Sequence, residues 1–482
     1  PRQVFEDQGA IEQRDAISRN AVGVVTGNSA RSGFNDVLIR GFEESTLING
    51  IPETFFFASV GRDLSNVERL EVLSGPASII SGNVEPGGAV NIVTKQPLLE
   101  PFYEFTASYG SFNTVEGAID ISGPLNKSKT VAYRLNASID YSETFFDPDE
   151  VEIERFTIAP VISWQIGSQT KLTFEGLFRN SQTPQRVGIP ALGTVLDNPN
   201  GEIPRDQFVG EPSFDTNTSI VGQISYDLEH DFNDNWSLRH TFRYSNFQNE
   251  QIEAFANELL DDLRTLDRTG LSAEDDIDNY QLTTYVNGKF KTGPVNHELL
   301  VGVDAVLERD VFTSEFFEIE NIDIFEPEFA GGVGETTFVG TFLDSNDGVG
   351  IYLQDQIKFF DDRLIVLLGG RVDFIGADSV DDSEGTESSF NQDAFSPTAG
   401  ILYKVTDNVS VYGSFSRSFE GVDGISATGE VFEASDGEQF EVGAKASWLN
   451  NRLFTTLALY DLTFSNLTTP DPENDGFNIP TW

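Results

Sequence analysis

Residues equipped for acid–base or metal chemistry are few in kind here. The chain has 482 residues, three of them histidine (His230, His240 and His297), and no cysteine. Imidazole can act as a general base or a metal ligand, yet neither "SLRHTFRY" nor "PVNHELL" sets a nucleophile beside a base. Without a thiol, disulfides and thiolate metal sites are excluded. These features argue against a triad or zinc enzyme. Carboxylate, by contrast, is abundant: 78 Asp and Glu stand against 30 Lys and Arg, a net charge of −48. Positions 249–276 hold nine acids and two arginines, and 312–347 hold nine acids and no base. Positions 377–392 add five acids and 420–435 four, again without a base. A field of that sign attracts cations, repels anions and speaks against nucleic acid as a partner. The same composition also suits a salt-adapted or merely solvated surface. None of these runs has the Asp/Gly spacing of an EF-hand calcium loop.

The elements that carry those acids alternate with strands. From Phe102 onward, fifteen segments read as strands. In "VAYRLNASIDYS", Val131, Tyr133, Leu135, Ala137, Ile139 and Tyr141 share one face, with Arg134, Asn136, Ser138 and Asp140 on the other. "TKLTFEGLFRN" repeats this, with Leu172, Phe174 and Phe178 opposed to Lys171, Thr173, Glu175 and Arg179. A period of two puts one face against something apolar and the other against something wet. Short connections such as "DFNDN" and "VTDN" alternate with long ones at 143–153, 181–215, 249–276, 312–347, 377–392 and 420–435. A soluble sandwich has no reason to alternate its loops. A transmembrane barrel does, with short periplasmic turns and long extracellular loops. No run of about 18 apolar residues offers a membrane helix, so strands must do the crossing. An odd strand number, an initial Pro and the lack of a signal peptide lead to the expectation of a chain cut at both ends. Inside 249–276, Ile252, Phe255, Leu259, Leu263 and Leu266 recur at three and four, which predicts an amphipathic helix packed on the barrel rim.

Ahead of the strands lies a turn-rich unit, "RLEVLSGPASIISGNVEPGGAVNIVTK" (69–95). Gly75, Gly82, Gly87 and Gly88 permit tight corners, while Pro76 and Pro86 stop strands from continuing. A wide barrel needs filling, and residues 1–97 are the natural filler, with 98–482 as the barrel. Here "DVLIRGF" (36–42), "LINGIP" (47–52), "VERLEVLSGPASIISG" (67–82) and "PGGAVNIVTKQP" (86–97) resemble, in order and spacing, the plug domain of TonB-dependent outer-membrane receptors. "FTASYGSFNTVEGAIDISGPL", "GVGIYLQDQIKF", "LGGRVDF", "VYGSFSRSF" and "EQFEVGAKA" are similar to the ferric-siderophore, ferrichrome-receptor-like branch. The resemblance covers nearly the whole chain.

It implies an all-β transmembrane barrel of the 22-stranded type, its C-terminal strands missing here, with an N-terminal α+β plug in the lumen. It further implies a monomer in the outer membrane of a Gram-negative-type bacterium. Such a receptor binds a ferric siderophore outside and imports it, driven by the TonB–ExbB–ExbD complex; iron arrives as cargo, with no cofactor. Ligand contacts are implied at the plug apex, for Arg31, Phe34, Phe55, Phe56 and Phe57. Aromatic faces would bury the chelate's apolar body and Arg its oxygens; the same Phe residues also suit packing against the wall. The ferrichrome pattern's apex arginine and tyrosine fall on Asn28 and near Ser65, and its barrel aromatics near Val187 and Gly188. The siderophore class therefore stands better than ferrichrome itself, and the acidic loops favour a neutral or cationic chelate. Arg40 and Glu441 match a buried plug–barrel pair, and Gly41 follows Arg40 in a plug turn. The family's second plug arginine is Ser74 here, a departure that implies a weaker plug anchor or a substitute partner such as Arg69. The rivals are another cargo (cobalamin, haem, an oligosaccharide) or a passive porin or adhesin barrel.

Overall fold

The computed structural model describes residues 1–10, 12–26, 37–53, 63–76, 78–82, 84–146, 152–185, 188–383, 385–422, 432–472, 474 and 478–481. The first hundred residues form a small mixed unit. Helices α1 (Arg2–Asp7), α2 (Gln13–Asn20) and α3 (Ser78–Ser81) accompany two sheets. One holds β1 (Val24–Thr26), β2 (Val37–Ile39) and β3 (Phe42–Glu43). The other runs β5–β4–β7–β6, from Ile51–Pro52, Ser45–Ile48, Gly88–Thr94 and Val67–Ser74 in that order. Strands β4 and β7 pair in parallel, which needs a long crossover, and β6 supplies it. The apolar positions of this sheet meet the helices: Phe5 and Ala16 pack with Ile48, Leu64, Val67 and Ile92.

The remainder is one antiparallel sheet of fifteen successive strands, each hydrogen-bonded to the next, with a two-residue strand at its margin. They are β8 (Phe102–Tyr109), β9 (Val115–Pro124), β10 (Val131–Glu143), β11 (Glu152–Ile166), β12 (Thr170–Pro184) and β13 (Thr216–Asn233). Then follow β14 (Trp236–Leu259), β15 (Thr265–Thr292), β16 (Val295–Glu318), the marginal β17 (Ile322–Asp323), β18 (Thr336–Phe359) and β19 (Leu364–Asp381). The sheet ends with β20 (Thr386–Thr406), β21 (Val409–Glu420), β22 (Ser435–Trp448) and β23 (Leu453–Ser465), and a separate hairpin joins β24 (Leu467–Pro470) to β25 (Asn478–Thr481).

Burial along these strands is inverted relative to a soluble protein. On β12, Phe174 is 49% exposed while its neighbour Thr173 is 2% exposed. On β10, Arg134 and Asn136 are buried while Ile139 is exposed. The oily face therefore looks outward and the polar face looks at the plug, the arrangement of a wall standing in lipid. No described helix is long and apolar enough to cross a membrane.

Two expectations fail in the outer segments. The residues 252–266 form no helix: Ile252 and Phe255 lie on β14, Leu266 on β15, and Leu259 pairs with Leu266 across the hairpin. Pairing with the long neighbouring strands overrides the helical spacing. Much of the predicted loop sequence is also strand, since β14–β16 and β18–β20 run on beyond the length a bilayer requires. At their ends a second core forms, in which Ile203, Val209, Leu266, Ile322 and Ile324 are buried together. Arg268, fully buried, donates to the carbonyls of Val209, Gly210 and Glu320 and pairs with Glu211 Oε1 at 2.8 Å. Asp215 accepts hydrogen bonds from the backbone N–H groups of Glu211 and Ala254. Replacing Arg268 by Met strands the Glu211 carboxylate in a closed site, at a cost of roughly 3–5 kcal/mol. Limited proteolysis should then cut within 188–215 while the strands stay protected.

Candidate functional site

The apex candidates Arg31, Phe34, Phe55, Phe56 and Phe57 lie outside the described residues. The site that can be built from the residues upward is the junction between plug and wall, which decides whether the lumen is shut.

Arg40 sits in a tight turn with Gly41, both at positive φ (56° and 93°), and that turn aims the guanidinium at the wall. Its Nη2 donates to Glu441 Oε2 at 2.7 Å and its Nη1 to Gln439, while the cation lies 4.1 Å from the centroid of the Tyr460 ring. Tyr412 completes the set by donating its hydroxyl to the other oxygen of Glu441 at 2.6 Å. Both carboxylate oxygens are thus occupied, the condition under which a buried pair escapes its desolvation penalty. Arg69 does not replace the missing second arginine: it pairs with Glu71 within β6, half exposed.

Glycine opens the same junction on both partners. A Cβ on Gly75 would stand 2.6 Å from Nε2 of Gln439, and one on Gly82 would stand 2.9 Å from Nη2 of Arg371. The wall reciprocates, for a Cβ on Gly369 would meet Ile79 at 2.5 Å and one on Gly437 would meet Pro86 at 2.5 Å. Gly87 and Gly88 instead let plug backbone approach plug backbone, at Ile39 and Leu73. Ser78 accepts a hydrogen bond from the Phe419 N–H at 3.4 Å. Segment 75–86 is therefore interdigitated with β19–β22.

Arg371 escaped sequence reasoning although it is the most enclosed cation of that wall. It donates to Asp304 at 2.6 Å and Asp373 at 2.8 Å, and it lies 5.2 Å from the Tyr352 ring centroid. Its only signal is an Arg on the polar face of an alternating strand, "LGGRVDF". The opposite side of the plug is held differently. Arg155 bridges Glu12 (2.6 Å) and Asp140 (3.0 Å); Lys95 and Arg134 share Asp120 (3.0 and 2.7 Å). Glu175 accepts from Asn49 and Gln96, and Thr157 bonds Asp63. Farther round, Arg243 and Gln281 donate to the carbonyls of Ile48 and Pro52, both at 2.8 Å. A cavity of about 30 Å³ remains between the plug sheet and β10–β13, lined by Ile48, Thr94, Asn136, Thr157, Glu175 and Gln223 among others.

An oily wall of strands packed around a pinned globular unit defines a plugged outer-membrane barrel. The comparisons narrow this further. Residues 163–481 match the family model "TonB dependent receptor-like, beta-barrel", and residues 1–89 match "TonB-dependent Receptor Plug Domain". The ferrioxamine B receptor of Salmonella typhimurium is 28% identical, across 99% of this chain and 68% of its own length. The ferrichrome outer membrane transporter/phage receptor of Escherichia coli is 27% identical over 97% of this chain and 66% of its own. The metal-pseudopaline receptor of Pseudomonas aeruginosa reaches 31% over 86% of this chain and 59% of its own. The chain thus spans about two thirds of the length of these relatives. Among solved structures, the ferric-catecholate import receptor Fiu of E. coli in its closed form superposes with a TM-score of 0.85. It is 23% identical, and the match covers 99% of this chain and 74% of Fiu. The chain belongs to the TonB-dependent receptor family, plug and barrel alike. It is an outer-membrane receptor and not an enzyme, and TonB is its partner.

One carboxyl at the junction titrates within reach. Burial, followed by the nearby Glu420 of β21 and Glu43 of β3, pushes the Glu85 carboxyl up to about 8. A raised folded-state value means that the protonated form fits the fold. The stabilisation is complete below the ordinary carboxylate range and disappears as pH climbs through about 8. Plug docking should therefore be tighter at pH 6 than at pH 9, and Glu85→Gln should hold the tighter behaviour at both. Thermal unfolding of the plug followed across that range checks this.

Proposed function

We propose that this receptor captures a ferric siderophore, neutral or cationic, at the outer mouth and imports it into the periplasm. It works as a monomer, with TonB, ExbB and ExbD supplying the drive, and iron travels as cargo with no resident cofactor. Residues 1–97 act as the plug and 98–482 as barrel wall. Arg31, Phe34, Phe55, Phe56 and Phe57 contact the chelate, and Arg40 with Glu441 anchors the plug. The relatives' names support the siderophore class. The observation that carries the charge preference is internal to this chain.

Acids lie on the plug-facing side of the extended strands β15, β16 and β18 as well as in the loops. Asp310 stands directly opposite Asp344, and Asp275 shares a hydrogen bond with Asp310. Glu308 accepts from Asn279 (2.9 Å) and Asn346 (3.3 Å), neutral partners that leave its charge uncompensated. An anionic chelate passing this wall meets like charge.

The test is binding to the complete receptor, followed by tryptophan fluorescence, of a cationic ferric hydroxamate against a trianionic ferric catecholate. At low salt the cationic chelate should bind at least about tenfold tighter, with the gap narrowing as ionic strength rises and screening sets in. Equal affinities, or an anionic preference, would remove the charge assignment. Failure to bind any ferric chelate would remove the siderophore reading itself.

A further inference from the structure

We propose that the upper lumen wall carries a subsite for a primary ammonium group on the cargo. Asp310 and Asp344, with Asp275 and Asn249 beside them, take the ammonium end of a flexible arm. Phe312 with Phe342 and Phe316 with Phe338 take the methylenes of that arm. The subsite rests on the siderophore reading proposed above and adds to it the chemical group that is read.

The strand period puts these residues on one face. On β16 the odd positions Val301, Val303, Leu307 and Val311 are exposed on the outer side, so Glu308, Asp310, Phe312 and Phe316 look into the lumen. Register carries that face to the neighbours: Asn249 lies opposite Asp275, Asp310 opposite Asp344, Phe312 opposite Phe342 and Phe316 opposite Phe338. One row deeper the wall supplies donors for its own acid, since Asn279 and Asn346 both donate to Glu308. At Asp310 it does not. Among the described residues, Oδ1 of Asp310, Oδ1 of Asp344 and Oδ1 of Asn249 are enclosed and accept no hydrogen bond. Asn249 is only 5% exposed, so its amide oxygen has lost water without gaining a partner. Asp275 and Asp310 hold a proton between them instead: burial, then the charge of Asp275, pushes the Asp310 carboxyl up to about 8.

Oxygens without donors suit a ligand that only donates. An ammonium has three N–H groups and no acceptor, and its hydrogen bonds to carboxylate are about twice as strong as neutral ones. Its arrival releases the shared proton to water, so one positive charge replaces another. A metal ion asks for a tighter grouping, and among the described residues no three carboxyl, imidazole or thiol groups are placed to hold one. The apolar side of the subsite is built as well. Phe312 and Phe342 lie two residues outward of Asp310 and Asp344, with ring centroids 6.3 Å apart, and Phe316 with Phe338 repeats the pair at 6.2 Å. Gly340 keeps this strip flush, for a Cβ there would stand 3.0 Å from the Phe338 ring and 3.5 Å from the Phe342 ring. A methylene chain buries its surface on such rings while the chelate stays at the mouth.

The test separates the N–H donors from the charge. In the complete receptor, fluorescence titration compares ferrioxamine B, which ends in a primary ammonium, with its N-acetyl form (neutral) and its N-trimethyl form (equal charge, no N–H). Ferrioxamine B should bind at least about tenfold tighter than the trimethyl form, although long-range attraction treats the two alike. Asp310→Asn with Asp344→Asn should abolish that preference, while the N-acetyl form binds within about twofold as before and so reports an intact fold. A second arm needs no chelate. This chain has no cysteine, so Phe342→Cys places a single thiol beside the carboxyls. Pentylammonium should slow its reaction with a small thiol reagent at least about fivefold, and pentyltrimethylammonium should leave the rate unchanged. Equal affinity for the ammonium and trimethyl chelates, a preference that persists in the double variant, or equal protection by the two amines would overturn the proposal. If none of the three chelates binds, the siderophore reading falls, and the thiol protection alone decides the subsite.

Discussion

Everything in this molecule follows from where polarity is allowed to go. A strand in lipid must show apolar side chains outward, so its polar residues are forced inward at every second position. Arg134, Thr173, Arg179, Arg243 and Arg371 all lie on that inner face, and all are buried. A wall of this kind is costly unless something supplies partners for it, because a buried, unpaired charge loses its hydration without return. The plug is that partner. Its carbonyls at Ile48, Pro52 and Gln96 accept from Arg243, Gln281 and Arg134, so the barrel is satisfied by being filled.

These contacts differ in kind. An arginine bound to a backbone carbonyl can exchange that partner for water. A proline seated against a glycine cannot. Interdigitation is concentrated at Gly75, Ile79, Gly82 and Pro86, and polar contacts surround a small cavity facing β10–β13. The ion pair of Arg40 belongs to the first group. Glu441 is held by Tyr412 and covered by the neighbouring Tyr460, so separating it from the guanidinium would leave a charge with little access to water.

The wall was legible in the sequence, since the alternation of Val131 to Tyr141 and of Leu172 to Phe178 dictates which side chains face lipid, and the order of the turn-rich segments identified the plug. Arg40 and Glu441, 401 positions apart, were brought together only through the family resemblance; no local pattern links them. Arg371 was missed because a lone Arg on a polar strand face reads as solvated until one knows that the face is enclosed. The segment 252–266 misled for a related reason. Its three-and-four spacing is a helical one, and what overrides it, the long pairing of β15 with β16 and the cover from Ile203, Val209 and Ile322, is contributed by residues outside the segment.

That second core changes how the acidic composition is to be understood. Had 249–276 and 312–347 been mobile loops, their eighteen acids would spread and self-repel in solvent, with charge acting only as a diffuse cloud. Instead the strands continue outward, fastened by Arg268 to Glu211 and to three backbone carbonyls. Fixing the backbone fixes the carboxyl groups: Asp310 stays opposite Asp344 and shares a proton with Asp275, and Glu308 is held between two asparagines. The conformational and Coulombic cost of that arrangement is met by the apolar burial of Ile322, Ile324 and Leu266 close by. Acidic groups held in place are pre-organised, and a pre-organised acidic wall can discriminate between chelates by sign where a flexible one would rearrange around either.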